Sequence, residues 1–340
     1  MDLHQLKPYL LHEFKSEHDL VKAIEELSLK FTKERSDIAD YLSDPRLVSA
    51  YTAFYLTTNI PKLEAVFKWM PEAWLADLKN CDLIDLGAGP GTFSLAFAEW
   101  CKSEMTGDFF QIEKSRLMRE QAQKIWQGLQ SDKKCFHGEH FNEKGDKERF
   151  LLFGHAANEM GPYEAIRYIE KIKPQHILFI EPGTKTFFPQ MLEIRDVLLA
   201  SGFNILYPCP NASGCPMKGS DTDWCHQFIN VSHSADVERL TQMVKKDRKL
   251  LPLTVHAFSK NTYEKNPSER LVRVMPETKF SFEWEVCVEN HLKKYQIMKR
   301  PYNKSEQKSL GQVLAGASVE SEVEKETEQS TRVKLLRPIK

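Results

Sequence analysis

A chain of 340 residues with 41% hydrophobic content can bury a full core, which excludes disorder throughout and leaves room for one large unit plus a smaller one. Its net charge of −1 exerts no global pull toward nucleic acid, so any RNA contact must come from local basic patches. Seven cysteines, odd in number and with no secretory leader ahead of them, argue against a disulfide framework and for a reducing compartment, expected to be the cytoplasm. No apolar run reaches membrane-spanning length, so no membrane partner is expected.

Residues 1–78 read as a helical N-terminal region. Leu20, Ile24, Leu27 and Phe31 recur every three to four residues and mark one buried helix face. Pro45 and Pro61 stand where helices are expected to begin, and Leu63, Val66, Phe67 and Met70 form a second apolar stripe. Tyr51, Phe54 and Tyr55 are expected to be packing material.

Residues 79–207 alternate short apolar runs with amphipathic stretches, and repeated β-α units of this length imply a parallel sheet covered on both faces. The run Leu83-Ile84-Asp85-Leu86 ends in Gly87-Ala88-Gly89-Pro90-Gly91, after which Thr92 to Ala98 restarts as a helix. Such a turn lets the backbone approach a ligand and presents free N–H groups at a positive helix end. Thr92 occupies the place where a dinucleotide fingerprint needs its third glycine. The actual order, Asp85 followed by alternating glycines, resembles instead the first motif of S-adenosylmethionine (SAM)-dependent methyltransferases, which makes Asp85, Gly87, Ala88, Gly89 and Gly91 the expected cofactor-binding residues. Glu113, ending the second strand at Phe109–Ile112, is placed to accept hydrogen bonds from the ribose hydroxyls. Two later strand ends, His155-Ala156-Ala157-Asn158-Glu159 and Glu181-Pro182-Gly183-Thr184, are expected to face the same pocket, with Asn158, Glu181 and His155 the candidates for acid–base work. The Asp/Asn-Pro-Pro-aromatic run of many amino-directed methyltransferases is missing there.

Residues 208–302 read as a cysteine-rich loop and a small β-rich lobe. Cys209, Cys215 and Cys225 sit in proline- and glycine-rich segments arranged to converge on one point, and Cys287 lies on the polar face of a strand whose other face carries Phe280, Phe282, Trp284 and Val286. Four thiolates suit zinc or an iron–sulfur cluster, and spacing alone does not choose between them. His226 is an outside candidate for the fourth ligand. Leu253–Phe258 and Leu271–Val274 read as strands of the lobe, and the Ser-, Glu- and Lys-rich residues 303–340 as a disordered tail.

The motifs at 83–92, Ala157-Asn158-Glu159-Met160, Ile180-Glu181-Pro182-Gly183-Thr184, Pro208-Cys209-Pro210, Gly214-Cys215-Pro216 and Trp224-Cys225-His226, in this order, resemble the methyltransferase-like proteins of the mitochondrial small ribosomal subunit and their bacterial relatives. The resemblance runs from about residue 45 to residue 300. It implies a Rossmann-like SAM-dependent methyltransferase fold, a 4Fe-4S cluster on Cys209, Cys215, Cys225 and Cys287, and action on the small ribosomal subunit and its rRNA; off the ribosome the protein is expected to be a monomer. Its role there is assembly and translation, either through methylation of rRNA or as a non-catalytic assembly factor. Asn211 replaces the family's usual histidine after the first Cys-Pro, and the basic segment after the fourth cysteine is reduced to Lys293-Lys294, Lys299-Arg300, Lys304 and Lys308.

Overall fold

A computed structural model describes residues 1–33, 43–142, 146–264 and 269–336, with side chains omitted at 31–33. Strands β1 (Asp82–Leu86), β2 (Phe109–Ile112), β3 (Cys135–Gly138), β4 (Arg149–Gly154), β5 (His176–Pro182), β6 (Asn204–Tyr207), β7 (Gln227–Asn230) and β8 (Leu250–Ser259) form the main sheet, in the order β3-β2-β1-β4-β5-β8-β6. The five strands β1 to β5 pair in parallel. β8 runs antiparallel between β5 and β6, and β7 pairs with its first half.

The expected parallel, doubly covered sheet is therefore present with one reversed strand. The reversal corrects the domain boundaries as well. Leu253–Phe258, expected in the C-terminal lobe, lies in β8 and completes the main sheet. Both its faces are covered, so Thr254 and His256 are as buried as Val255 and Ala257, and the polar–apolar alternation does not mark a solvent face.

The N-terminal region is helical, over Leu3–Leu6, Glu17–Lys33, Pro45–Tyr51, Thr57–Phe67 and Glu72–Leu78. Leu20, Ile24 and Leu27 are buried as the periodicity requires; the side chain of Phe31 lies outside the described residues. Pro45 occupies the first turn of its helix, capped by the Asp44 side chain. Pro61 does not begin a helix. It lies inside Thr57–Phe67, which continues from a wide π turn over Thr52–Leu56, a feature often found beside functional sites. Leu63, Val66, Phe67 and Met70 are all buried against the sheet side of this region.

A second sheet is built from β9 (Glu269–Met275), β10 (Ser281–Val288), β11 (His291–Met298), β12 (Ser318–Val319), β13 (Ser321–Glu326) and β14 (Thr331–Leu335), in the order β12-β9-β10-β11-β14-β13. Phe282, Trp284 and Val286 point into its core with Tyr295, Ile297, Val319 and Val333, whereas Phe280 at the edge is exposed. The tail expected to be disordered from residue 303 instead supplies a helix, Lys304–Leu310, and three strands of this sheet. Its apolar residues are sparse, yet Leu310, Ala317, Val319 and Val333 fall where β9, β10 and β11 leave one face uncovered. Backbone pairing satisfies the polar remainder. No helix among the described residues is long and apolar enough to cross a membrane.

Candidate functional site

A cavity of about 300 Å³ opens beyond the carboxyl ends of β1, β2 and β4. Leu86, Gly87, Ala88, Gly89 and Pro90 form its floor, and Glu113 stands at its side. The three glycines differ in role. Gly89 (φ +53°) has open space where a Cβ would stand, so its backbone is free to meet a ligand. A Cβ on Gly87 (φ +71°) would come within 2.6 Å of Ala156 Cβ, which makes that glycine a packing requirement. Gly91 begins the helix Thr92–Cys101 in the left-handed region and does not line the cavity.

Asp85 also stays out of the cavity. It is buried, and its carboxylate accepts from Ser94 N (3.0 Å) and Ser94 Oγ (2.7 Å), tying the end of β1 to the helix that follows. Burial pushes its pKa up to about 6, and the Ser94 hydrogen bonds hold it down from going further. Glu113 accepts from Gly89 N (3.0 Å) and Ser115 N (2.8 Å), so the second-strand carboxylate is joined to the glycine loop itself.

Of the three acid–base candidates, only His155 lines the cavity. Glu181 is fully buried and accepts from the N–H groups of Ala156 (3.0 Å), Ala157 (2.8 Å) and Asn158 (3.3 Å). The Asn158 amide, oriented by its neighbours, donates to Glu181 Oε2 (2.7 Å) and His155 O (3.2 Å). Burial raises the Glu181 pKa to about 8 against the pull of these donors. Four donors and no acceptor around its oxygens favour the ionised form. Asn158 and Glu181 thus shape the loop after β4 instead of facing a substrate.

His155 is held at φ +60°, a conformation rare for a residue with a side chain, with its ring stacked on Phe93. Its Nε2 lies 2.8 Å from Nζ of Lys62, a buried lysine of the helix Thr57–Phe67. Burial, then the charges of Lys62 and Arg248, keep the imidazole pKa well below its usual value. Burial also lowers Lys62 to about 7, helped by Arg248 and opposed by Glu181. Lys62 escaped the sequence reading, although its place four residues before buried Val66 put a charge on the apolar face. Tyr51 and Asn59, carried by the same helices, line the cavity too; the aromatic cluster is therefore packing only in part. Glu159, whose pKa burial raises to about 7, stands on the rim with Glu139 and Glu164.

The four cysteines expected to converge do so. Cys209, Cys215, Cys225 and Cys287 line one narrow niche between the main sheet and the second sheet, with Arg195, Arg270 and His256. His226 does not line it and stacks on Trp224 instead. Burial raises every one of these thiols, Cys287 to about 12, and in Cys215, Cys225 and Cys287 neighbouring thiolates add to it. Arg195 and Arg270, both buried, act in the opposite direction on Cys209. Neither arginine was singled out from sequence. Arg270 donates to Pro208 O (2.8 Å), Gly316 O (3.0 Å) and Ser318 Oγ (2.6 Å); Arg195 Nε and His256 Nδ1 have no hydrogen-bond partner.

No three of the four thiols lie mutually within 4.8 Å; among the described residues only Cys81, Glu148 and His176 form such a group of metal-ligand types. That trio, at the opposite end of the sheet, does not suit a metal. Trp74 Nε1 donates to His176 Nδ1 (3.2 Å), which makes Nδ1 the acceptor of a neutral ring and leaves Nε2 protonated.

The sequence profile of the mitochondrial small ribosomal subunit family Rsm22 matches residues 45–305. The chain belongs to the Rsm22 family. The match takes in the helices that carry Tyr51 and Lys62, the glycine loop and all four niche cysteines. In three dimensions the chain is similar to a putative RNA methyltransferase from Pyrococcus horikoshii (13% identity, 58% of this chain and 85% of that one, TM-score 0.35). It is also similar to magnesium protoporphyrin IX methyltransferase from Synechocystis PCC 6803 with bound SAM (11% identity, 70% and 97%, TM-score 0.39). A third similar structure is M. capricolum TrmK in complex with S-adenosyl-homocysteine (10% identity, 58% and 69%, TM-score 0.33). No curated protein sequence matches significantly. The fold is the expected Rossmann-like methyltransferase fold on its strand order alone, five parallel strands with β8 reversed between β5 and β6.

Proposed function

We propose that this chain binds SAM in the cavity beyond β1, β2 and β4 and acts in that form on the small ribosomal subunit. The observation that carries the reading is Gly89, open above and joined through its N–H to the Glu113 carboxylate. A cofactor ribose would take over that carboxylate, and the exposed loop N–H would be released to it. The rim carboxylates Glu139, Glu159 and Glu164 suit a ligand bearing a sulfonium and an ammonium group. Calorimetric titration with SAM tests this: Glu113→Gln is expected to weaken binding at least about tenfold, the scale of one or more lost charge-assisted hydrogen bonds. Unchanged affinity would remove the assignment.

The niche is the proposed seat of the iron–sulfur cluster. A tetrahedral zinc with Zn–S bonds of about 2.3 Å would draw its thiolates to about 3.8 Å of one another. The four thiols line this one niche, and two buried guanidiniums offset the negative charge that four thiolates bring. Such a centre would supply structural cross-linking between the two sheets. Zinc remains the alternative that metal analysis decides.

Assembly-factor action needs no acceptor chemistry, and the inward-turned Asn158 and Glu181 favour it. A second reading, methyl transfer to rRNA, is favoured by one specific observation, the placement of His155 on the cavity wall with Lys62 behind it. Transfer of labelled methyl from SAM to small-subunit particles separates the two.

A further inference from the structure

We infer that His155 and Lys62 form a proton-accepting pair serving a methyl acceptor in the cavity, with Lys62 the terminal acceptor acting through His155. The inference rests on the SAM-binding reading and extends it to an acceptor that must lose an N–H or O–H proton.

The geometry is that of a relay. His155 reaches the cavity wall from the loop after β4, fixed by its left-handed backbone, by Phe93 on one face and by the Glu181–Asn158 bonds beneath. Lys62 comes from the N-terminal helices, buried, and its one direct hydrogen-bond contact among the described residues is His155 Nε2 at 2.8 Å. A lysine placed there for stability alone is unfavourable, because its ammonium is taken out of water without a carboxylate in contact. Charged groups act on the pair from two further elements: Glu181 at the end of β5 on Lys62, and Arg248 before β8 on both Lys62 and His155. Arg248 lies over the rings of Phe54 and Tyr55, so a positive charge is held near Lys62 and favours its neutral amine. Neutral Lys62 accepts a hydrogen bond from His155 Nε2–H, and the ring then presents the Nδ1 lone pair.

The step balances. The acceptor nitrogen or oxygen forms a bond to the methyl carbon as the carbon–sulfur bond breaks and its electron pair stays on sulfur. The acceptor's proton passes to His155 Nδ1, the Nε2 proton passes to Lys62, and the products are the methylated acceptor, the neutral thioether and a lysine ammonium. Once the product has left, the Nδ1 proton passes to solvent in the emptied cavity as Lys62 returns its proton to Nε2, which restores both groups.

The test uses the full-length protein with its metal centre intact. SAM affinity is measured by calorimetry, methyl transfer to small-subunit particles by label, and the His155 ring by nitrogen NMR between pH 6 and 9. In the wild type the transfer rate should rise with pH through about 7, and the His155 signals should move over the same interval. Lys62→Met should lower the rate roughly 100-fold, the lower range of general-base effects. It should leave SAM affinity within about threefold. It should also abolish that movement of the His155 signals. Lys62→Arg, permanently charged, should be as slow, whereas a packing role would tolerate it. Added methylamine should partly restore Lys62→Met. Wild-type-like transfer by Lys62→Met, or SAM-bound wild type that transfers no methyl at any pH, would overturn the relay while leaving SAM binding standing. Wild type that binds no SAM would overturn the underlying reading and the relay with it.

Discussion

Lys62 sets a stability prediction of its own. In the unfolded chain it titrates near its usual 10.5, but in the folded chain near 7. Between those values the unfolded state holds the extra proton, so stability rises as pH increases from about 7 and is lost on acidification through that range. Lys62→Met is expected to stabilise the protein at pH 7 by a few kcal/mol, on the order of what a shift of this size represents, and to flatten the pH dependence of Tm between 7 and 10. A Tm profile parallel to that of the wild type would mean that Lys62 is not desolvated. The glycines separate in the same way. A Cβ at position 89 meets no protein atom, so Gly89→Val should abolish SAM binding with a loss of Tm set mainly by its positive φ. Gly87→Ala must push against Ala156 and should cost roughly 1–3 kcal/mol of stability, read by denaturant melting.

At the scale of elements, the segment after residue 303 and the basic stretch before it change meaning once placed. Were residues 303–340 a disordered tail, their deletion would be without consequence. It is expected instead to strip β12, β13 and β14 from the second sheet, uncovering Tyr295 and Leu271, and to make residues 269–302 protease-sensitive. An unchanged digestion pattern would contradict the pairing. Within the basic stretch, Lys293 meets Glu326, and Lys299 meets Glu277 and Thr278 O while lying over Phe282. These two are engaged internally. The exposed cations are Lys294, Arg300, Lys304 and Lys308. If this face contacts rRNA, Arg300→Ala with Lys304→Ala should weaken binding and reduce the salt slope by roughly one unit per lost phosphate contact. An unaltered slope would make it a solvated face.

For the whole molecule, the niche is where the two sheets and the tail are joined. Cys209, Cys215 and Cys225 come from the connection after β6, Cys287 from β10, and Arg270 on β9 reaches both Pro208 and Gly316. A centre bound there adds to folding free energy, because the unfolded chain has no preformed site. Cys287→Ser should therefore lose the metal and loosen the region from 208 to 336, while SAM binding at the glycine loop survives. Protein purified without oxygen should be brown, with iron and sulfide in near-equal amounts. Colourless protein with one zinc per chain would replace the cluster by a zinc site.

Local chemistry was enough to determine the parts of this protein that short-range periodicity and composition control. The strand–glycine–helix turn, the sequence of β-α units, Glu113 beside the loop and four thiols aimed at one point were all legible, since each depends on residues close in the chain or on a side chain with few alternative uses. Tertiary structure alone decided the rest. β8 enters the main sheet from far along the chain, and its polar residues are buried by layers that no local pattern reveals. Asp85 and Glu181 turned away from the cavity because buried backbone N–H groups needed acceptors there, and Asn158 turned with them to donate to Glu181 and to the His155 carbonyl. Lys62 and His155 are 93 positions apart, as are no two residues of a local motif, and only the packing of the N-terminal helices on the sheet brings them within a hydrogen bond.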